Sequence, residues 1–159
     1  MDSSVKLLLE RAENELELAK VIYTITENKT IQSDIFHLDK IQTFYSSVIS
    51  HSYYCIFYSA KAYLLTKNIK PEAPNVHKKT FQAFRKFVVR GTFSSELLKI
   101  YEEVLTKAET LLGIFKTEKS KRGEFTYQKI AQANQEPAKQ SLENAKTFFS
   151  NIYRVCEKG

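Results

Sequence analysis

One stretch of the chain, residues 50–71 with the sequence SHSYYCIFYSAKAYLLTKNIKP, constrains the fold more than any other. Wound as a helix, it places Cys55 and Ala62 on one side and Tyr53 and Ile56 on the other. A helix that is apolar on every side has to be covered on every side. The sequence therefore predicts that this helix is the central member of a bundle, or that a bundle shares it with a second subunit in a homodimer.

Four further segments carry apolar residues at every third or fourth position, which is the spacing of an amphipathic helix. The chain has only four glycines and three prolines, and no segment alternates polar and apolar residues for long enough to predict a strand. The sequence therefore predicts an all-α fold, an up-and-down bundle of about five helices that forms a single domain over residues 1–159.

Capping residues and helix breakers predict where these helices begin and end. The predicted helices run from Val5 to Thr26 after a cap at Ser3 or Ser4, from near Asp39 to about Lys67, from a cap at Asn75 to Gly91, from a cap at Ser94 to Phe115, and from Pro137 to Cys156. The last of them is expected to pack through Ala138, Leu142, Ala145, Phe149, Ile152 and Cys156.

Composition excludes several classes of protein. Hydrophobic residues make up 43% of the chain and charged residues 26%, which is ordinary for a globular protein and excludes wholesale disorder. No apolar run is long enough to span a membrane, and the acidic N-terminal segment is unlike a signal peptide, so we expect a cytoplasmic protein without membrane contact. The formal net charge of +6 favours anionic partners such as nucleic acid, nucleotides or an acidic protein surface.

The cysteines and histidines show none of the usual catalytic or metal-binding spacings. Cys55 and Cys156 lie far apart in predicted helices, which predicts reduced core thiols. No histidine and carboxylate cluster, glycine-rich phosphate loop or nucleophile elbow occurs, so the sequence predicts neither a metal nor a cofactor.

Three short motifs resemble the HEPN family, small helical domains named for nucleotide binding in prokaryotes and higher eukaryotes. In the prokaryotic branch, the second helix typically reads arginine, serine, tyrosine, tyrosine, alanine, any residue, phenylalanine. Here the corresponding residues are His51, Ser52, Tyr53, Tyr54, Cys55, Ile56 and Phe57. The histidine and lysine that open the next helix of that branch match His77 and Lys78, and its later arginine, aspartate and tyrosine positions hold Arg122, Thr126 and Tyr127.

The resemblance implies a binding module that works with a second protein. Family members often travel with a nucleotidyltransferase or an antitoxin-like protein, and ribonuclease members carry an arginine shortly before a histidine on one helix. No arginine of this chain precedes a histidine in that way. The resemblance therefore implies a non-catalytic module that binds nucleotide or RNA. The alternative is a divergent RNA-cleaving toxin in which folding brings His51 and Arg122 together, with the arginine stabilising phosphorane charge and the histidine moving protons.

Two groups of residues are candidates for binding. The candidate ligand site, suggested by the resemblance, comprises His51, Tyr54, Lys78, Arg122 and Tyr127. The candidate nucleic-acid surface comprises Arg85, Lys86, Lys116, Lys119 and Lys121, because cations beside aromatic rings suit single-stranded nucleic acid. The competing interpretations are a structural role for His51, which has no carboxylate at a helical spacing to orient it, and solvated faces for the basic segments.

Overall fold

A computed structural model describes residues 1–112 and 134–158 of the chain. Within these residues the chain forms five α-helices and one π-helical turn, without a strand. The elements are α1 (Ser3–Glu27), the π-helical turn (Ile31–Ile35), α2 (Tyr45–Thr66), α3 (Val76–Val89), α4 (Ser95–Leu112) and α5 (Gln135–Lys158). The predicted all-α bundle is therefore confirmed.

Helix α1 begins two residues earlier than its apolar pattern predicts. The carboxylate of Asp2 accepts hydrogen bonds from the backbone N–H groups of Ser4 at 2.8 Å and Val5 at 3.4 Å. These are two of the N–H groups that a helix N-terminus leaves without an intrahelical partner. Asp2 is thus the cap, and the prediction of a cap at Ser3 or Ser4 is wrong.

Helix α2 begins at Tyr45, so the prediction that it begins near Asp39 is wrong. The buried side chain of Gln32 accepts a hydrogen bond from the backbone N–H of Gln42 at 2.7 Å and donates one to the backbone carbonyl oxygen of Gln42 at 3.0 Å. The N–H of Phe44 donates to the hydroxyl of Thr26 at 3.2 Å. Because these side chains bind the backbone groups that a helix would use, the segment is held in a non-helical conformation.

Helix α2 is the central member of the bundle, as its all-round apolar surface predicts. It packs against α1, α3, α4 and α5. Both of its predicted faces are covered within the single chain, because Tyr53, Ile56, Cys55 and Ala62 are all 0% exposed. No helix in the described part of the chain is long and apolar enough to span a bilayer.

Helices α2 and α3 are each followed, two residues after their last residue, by a residue with a left-handed backbone. Asn68 has a φ of 57°, and the N–H of Ile69 donates back to the carbonyl oxygen of Leu64 at 2.9 Å. Gly91 has a φ of 81°, and the N–H of Thr92 donates to the carbonyl oxygen of Phe87 at 2.9 Å. Both ends are Schellman motifs, which satisfy carbonyl groups at a helix C-terminus. The predicted end of α3 at Gly91 is confirmed.

The core contains residues from all five α-helices. An aromatic cluster joins α2, α3, α4 and α5 through Tyr63, Phe84, Phe93, Tyr101 and Phe148. Phe148 is fully buried and Phe149 only partly, so Phe148 fills the core position that was predicted for Phe149.

Both cysteines are free and buried, which agrees with the prediction of reduced core thiols. Burial raises the pKa of the Cys55 thiol, and it raises that of Cys156 to about 11. Both side chains are therefore neutral apolar groups at physiological pH.

Candidate functional site

The most highly organised polar group in the described residues joins α1 to α2. The Nδ1 atom of His51 lies 2.6 Å from Oε2 of Glu15. Helices α1 and α2 run antiparallel, since Glu15 meets His51 whereas Tyr23, two turns later in α1, meets Tyr45, nearly two turns earlier in α2. This packing supplies the carboxylate that the helix of His51 itself lacks.

Glu15 also binds a cation on its own helix. The Nε atom of Arg11 donates to Oε1 of Glu15 at 3.2 Å, and the guanidinium lies 5.2 Å from the centre of the Tyr58 ring. Glu15 is buried, with a relative exposure of 9%, so it requires partners for its charge. Arg11 and His51 bind one carboxylate oxygen each, and the three side chains form the Arg11–Glu15–His51 set.

The contact with Glu15 defines the orientation of the imidazole ring. A carboxylate only accepts hydrogen bonds, so Nδ1 of His51 donates to it. The other ring nitrogen, Nε2, forms no hydrogen bond with any residue that the structure describes. His51 has 29% of its side chain exposed, so the set reaches the surface. Such a histidine can bind a ligand or, in its neutral form, accept a proton at Nε2.

Aromatic residues continue this surface along α2. The rings of Tyr54 and Tyr58 are stacked with centroids 6.2 Å apart. Tyr54 also meets His77 of α3 edge to face at 6.1 Å, so the fold brings two predicted family positions, Tyr54 and the start of α3, together. Burial is the main cause that raises the pKa of Tyr54, with smaller contributions from Tyr58 and Glu15.

His77 is half-buried at the start of α3. Its ring stacks on Phe57 with centroids 4.3 Å apart, and its Nδ1 lies 2.8 Å from the hydroxyl of Tyr53. Burial, assisted by the positive charge of Lys61, lowers the pKa of His77. Burial strongly raises the pKa of Tyr53. Tyr53 and His77 therefore form a hydrogen bond between two uncharged groups at neutral pH.

The hydroxyls of two buried tyrosines, Tyr53 and Tyr101, differ in their hydrogen bonding. That of Tyr53 has His77 as its partner, whereas that of Tyr101 is buried without a hydrogen-bond partner among the described residues. The ring of Tyr101 is packed between Phe81 and Phe148 in the aromatic core.

The candidate residues on α3 all lie at the surface. Lys78, Arg85 and Lys86 are exposed, on the side of α3 opposite the fully buried Phe84. Lys78 directly follows His77, whose ring contacts Tyr54.

The remaining candidates lie outside the described residues. They are Arg122 and Tyr127 of the predicted ligand site, and Lys116, Lys119 and Lys121 of the predicted nucleic-acid surface. Within the described ranges, no group of three or more histidine, cysteine, aspartate or glutamate residues is arranged to hold a metal ion.

Sequence reasoning missed Glu15 and Arg11, although a signal for Glu15 exists. Glu15 lies three residues after Ala12 and four before Ala19, both on the buried side of α1. A carboxylate on the buried side of an amphipathic helix needs a charged or hydrogen-bonding partner from a neighbouring element. His51, a histidine in the first half of the apolar helix α2, is the matching signal.

These features define a small all-α bundle in which a partly exposed histidine is hydrogen-bonded to a buried carboxylate between the first two long helices. No family model matches the chain, and no solved structure matches it at a significant level.

Among curated proteins, the chain is similar to one of Methanocaldococcus jannaschii that carries the name "Putative toxin MJ0605". The two sequences are 32% identical over 107 residues, which is 67% of this chain and 63% of the relative. The chain thus spans less than two thirds of the length of the relative. It is a distant homologue of this protein.

Proposed function

We propose that this chain is the toxin component of a two-protein pair, and that it is a HEPN-like helical module that acts by binding. The name of the archaeal relative supports the toxin class, and the motifs around Tyr54 support the family. The observation that carries binding over cleavage is that Arg11 and Glu15 are already engaged, with each other and with His51.

Cleavage of RNA next to a histidine requires a cation at the scissile phosphate. Arg11, the arginine that shares Glu15 with His51, binds this carboxylate and lies over Tyr58. Moving it to a phosphate would leave the buried Glu15 without one of its two partners. The Arg11–Glu15–His51 set therefore suits a preformed recognition surface.

The partners of this module follow from the resemblance. They are a nucleotidyltransferase or another antitoxin-like protein, with a second copy of the chain in a homodimer. The ligand is a nucleotide or RNA, held by His51, Tyr54, Lys78, Arg122 and Tyr127. In a homodimer, two copies of this site would face each other across a basic cleft.

The test is inducible expression of the chain in a bacterial host, alone and together with the product of the adjacent reading frame. We expect growth arrest by the chain alone, relief on co-expression, and co-purification of the two proteins. We also expect that arrest persists in the His51→Gln variant, because an amide can still hydrogen-bond to Glu15 and to a ligand, although it cannot accept a proton. If the chain neither arrests growth nor forms a complex with the adjacent product, the proposal is wrong.

A specific observation favours RNA cleavage as a second candidate function. Glu15 fixes the ring of His51 with Nε2 unpaired among the described residues, which is how a general base is oriented. Purified protein incubated at stoichiometric concentration with structured and unstructured RNA separates the two functions. Cleavage that is lost in both His51→Ala and Arg122→Ala, but kept in a control variant at the exposed His37, would establish the enzyme. Absence of cleavage by the wild type would exclude it.

A further inference from the structure

Nearly all of the net charge of the chain lies on one helix. The segment from Val76 to Arg90 contains five lysine and arginine residues and no aspartate or glutamate, whereas the whole chain has a formal net charge of +6. Together the other residues are therefore close to neutral. A concentration of one sign of charge on one surface attracts partners of the opposite sign and accelerates their association.

Within the described residues, the cations of α3 have none of the ion pairs that some lysines of α1 and α5 form. On α1 and α5, Lys6, Lys20 and Lys146 lie within an ion-pair distance of a glutamate three or four residues away. None of the α3 cations forms an ion pair with a described carboxylate, although Lys79 donates to the carbonyl oxygen of Glu72 at 3.0 Å. Their charge is thus available to a partner.

One apolar side chain stands among these cations. Val89 is 75% exposed, which makes it the most exposed large hydrophobic residue in the described ranges. It lies one helical turn from Arg85 and Lys86 and directly before Arg90, and all three are exposed. The basic face, as we call it, comprises Lys78, Arg85, Lys86, Val89 and Arg90. An apolar centre within a polar rim is the anatomy of a protein interface.

The aromatic rings of α3 do not reach this face. Phe81 packs on Tyr101 with ring centroids 5.1 Å apart, and Phe87 packs on Tyr63 at 5.2 Å. Single-stranded nucleic acid is bound by cations together with rings on which bases stack. The basic face offers cations and an aliphatic side chain, a combination that suits a protein better than single-stranded RNA.

We propose that the basic face docks an acidic segment of a partner protein, with carboxylates beside Arg85, Lys86 and Arg90 and an apolar side chain over Val89. This inference rests on the proposed function in that the toxin class implies a partner protein. It adds the surface and the chemistry of that partner. It also separates this surface from the Arg11–Glu15–His51 set, which lies between α1 and α2.

The first test is an NMR titration of the isotope-labelled full chain with a synthetic peptide of about 16 residues, long enough to form a helix. The peptide is rich in glutamate and carries one central leucine, and a control peptide carries alanine in its place. We expect amide shift changes concentrated between Val76 and Thr92, and weaker binding of the control peptide. Shift changes spread evenly over α1, α4 and α5 would overturn the proposal.

The second test compares charge-matched variants by fluorescence anisotropy with the same peptide. We expect Arg85→Gln/Lys86→Gln to weaken binding by about five- to tenfold, and Lys99→Gln/Lys139→Gln, which removes the same charge from exposed positions on α4 and α5, to leave it within about twofold. Val89→Gln should also weaken binding, whereas Val21→Gln on α1 should not. Equal effects of the two double variants would overturn the proposal.

Single-stranded RNA with the same number of charges as the peptide is the competing probe. Tighter binding of this RNA at the basic face, with no effect of Val89→Gln on it, would overturn the proposal in favour of a nucleic-acid surface. Growth arrest measured with the same variants distinguishes this inference from the proposed function. Arrest and relief that are unchanged by Arg85→Gln/Lys86→Gln would overturn the docking face alone, whereas a wild-type chain without arrest or partner would overturn the function.

Discussion

At the scale of single residues, the buried Glu15 connects α1 to α2. It binds His51 of α2 and Arg11 of α1 with one oxygen each. A carboxylate buried to this extent contributes to stability only while its partners remain in place. Its two partners make the contact between α1 and α2 sensitive to single substitutions.

A double-mutant cycle measures the coupling between Glu15 and His51. We expect Glu15→Gln to lower the free energy of unfolding by about 2 kcal/mol. This is less than the loss from breaking a fully buried pair, because His51 is partly exposed. We expect the cycle with His51→Gln to give a coupling of about 1 kcal/mol in chemical denaturation. Glu13→Gln, on the exposed side of α1, is the control and should change stability by less than about 0.5 kcal/mol. A coupling indistinguishable from zero would mean that the two side chains do not interact in solution.

Two buried tyrosines should respond in opposite ways to loss of the hydroxyl. Tyr101→Phe removes a buried hydroxyl that has no partner among the described residues, so we expect the free energy of unfolding to stay unchanged or to rise by up to about 1 kcal/mol. Tyr53→Phe removes the hydrogen bond with His77, and we expect a loss of about 1 kcal/mol. Thermal unfolding of the two variants side by side tests this. Equal effects would contradict the hydrogen-bond assignment.

His77 should make stability depend on pH. Its pKa is lowered below its usual value of 6.5 in the folded chain by burial and by Lys61. Below about pH 6.5 the unfolded chain therefore binds more protons than the folded chain, and the free energy of unfolding falls as the pH falls. We expect a shallower decrease between pH 7 and 5 in the His77→Gln variant, measured by urea denaturation. Parallel pH profiles for the variant and the wild type would rule this out.

At the scale of elements, the connection from α1 to α2 is held by the side chains of Thr26 and Gln32 in addition to the backbone hydrogen bonds of its π-helical turn. Gln32 is 0% exposed and donates to the carbonyl oxygens of Ile25 and Gln42 at 2.9 and 3.0 Å. Such bonds join residues up to ten positions apart, so helical periodicity does not reveal them. For this reason the sequence predicts a helical start near Asp39, whereas the helix begins at Tyr45.

Replacing Gln32 tests how this connection is held. Gln32→Leu keeps the volume but leaves backbone groups of Ile25 and Gln42 without partners, so we expect a loss of about 2 to 3 kcal/mol. We also expect faster hydrogen exchange at the Gln42 amide. Gln42→Ala is the matched control, because only the backbone of this exposed residue takes part. A Gln32→Leu variant as stable as this control would contradict the role assigned to the side chain.

At the scale of the whole molecule, the sequence predicts those features that local patterns determine. The all-round apolar surface of α2 determines its central place, and Gly91 determines the end of α3. The contacts between helices do not follow from the spacing within any one helix. His51 could therefore be singled out from the sequence, whereas its partners on α1 became evident only when the packing of α1 against α2 was known.

The coverage of α2 within one chain predicts how the whole molecule behaves on dilution. Because α1, α3, α4 and α5 bury this helix, the fold should not need a second copy, and any homodimer would form between chains that are already folded. Sedimentation combined with circular dichroism over about a hundredfold dilution checks this, since an obligate dimer loses stability as it dissociates. We expect helical content and the midpoint of thermal unfolding to stay constant across the dilution. The Ile56→Ala variant should lower that midpoint equally at every concentration, because its cavity lies inside one chain and costs about 2 to 5 kcal/mol. A midpoint that falls with dilution in the wild type would instead place part of the cover of α2 in a second subunit.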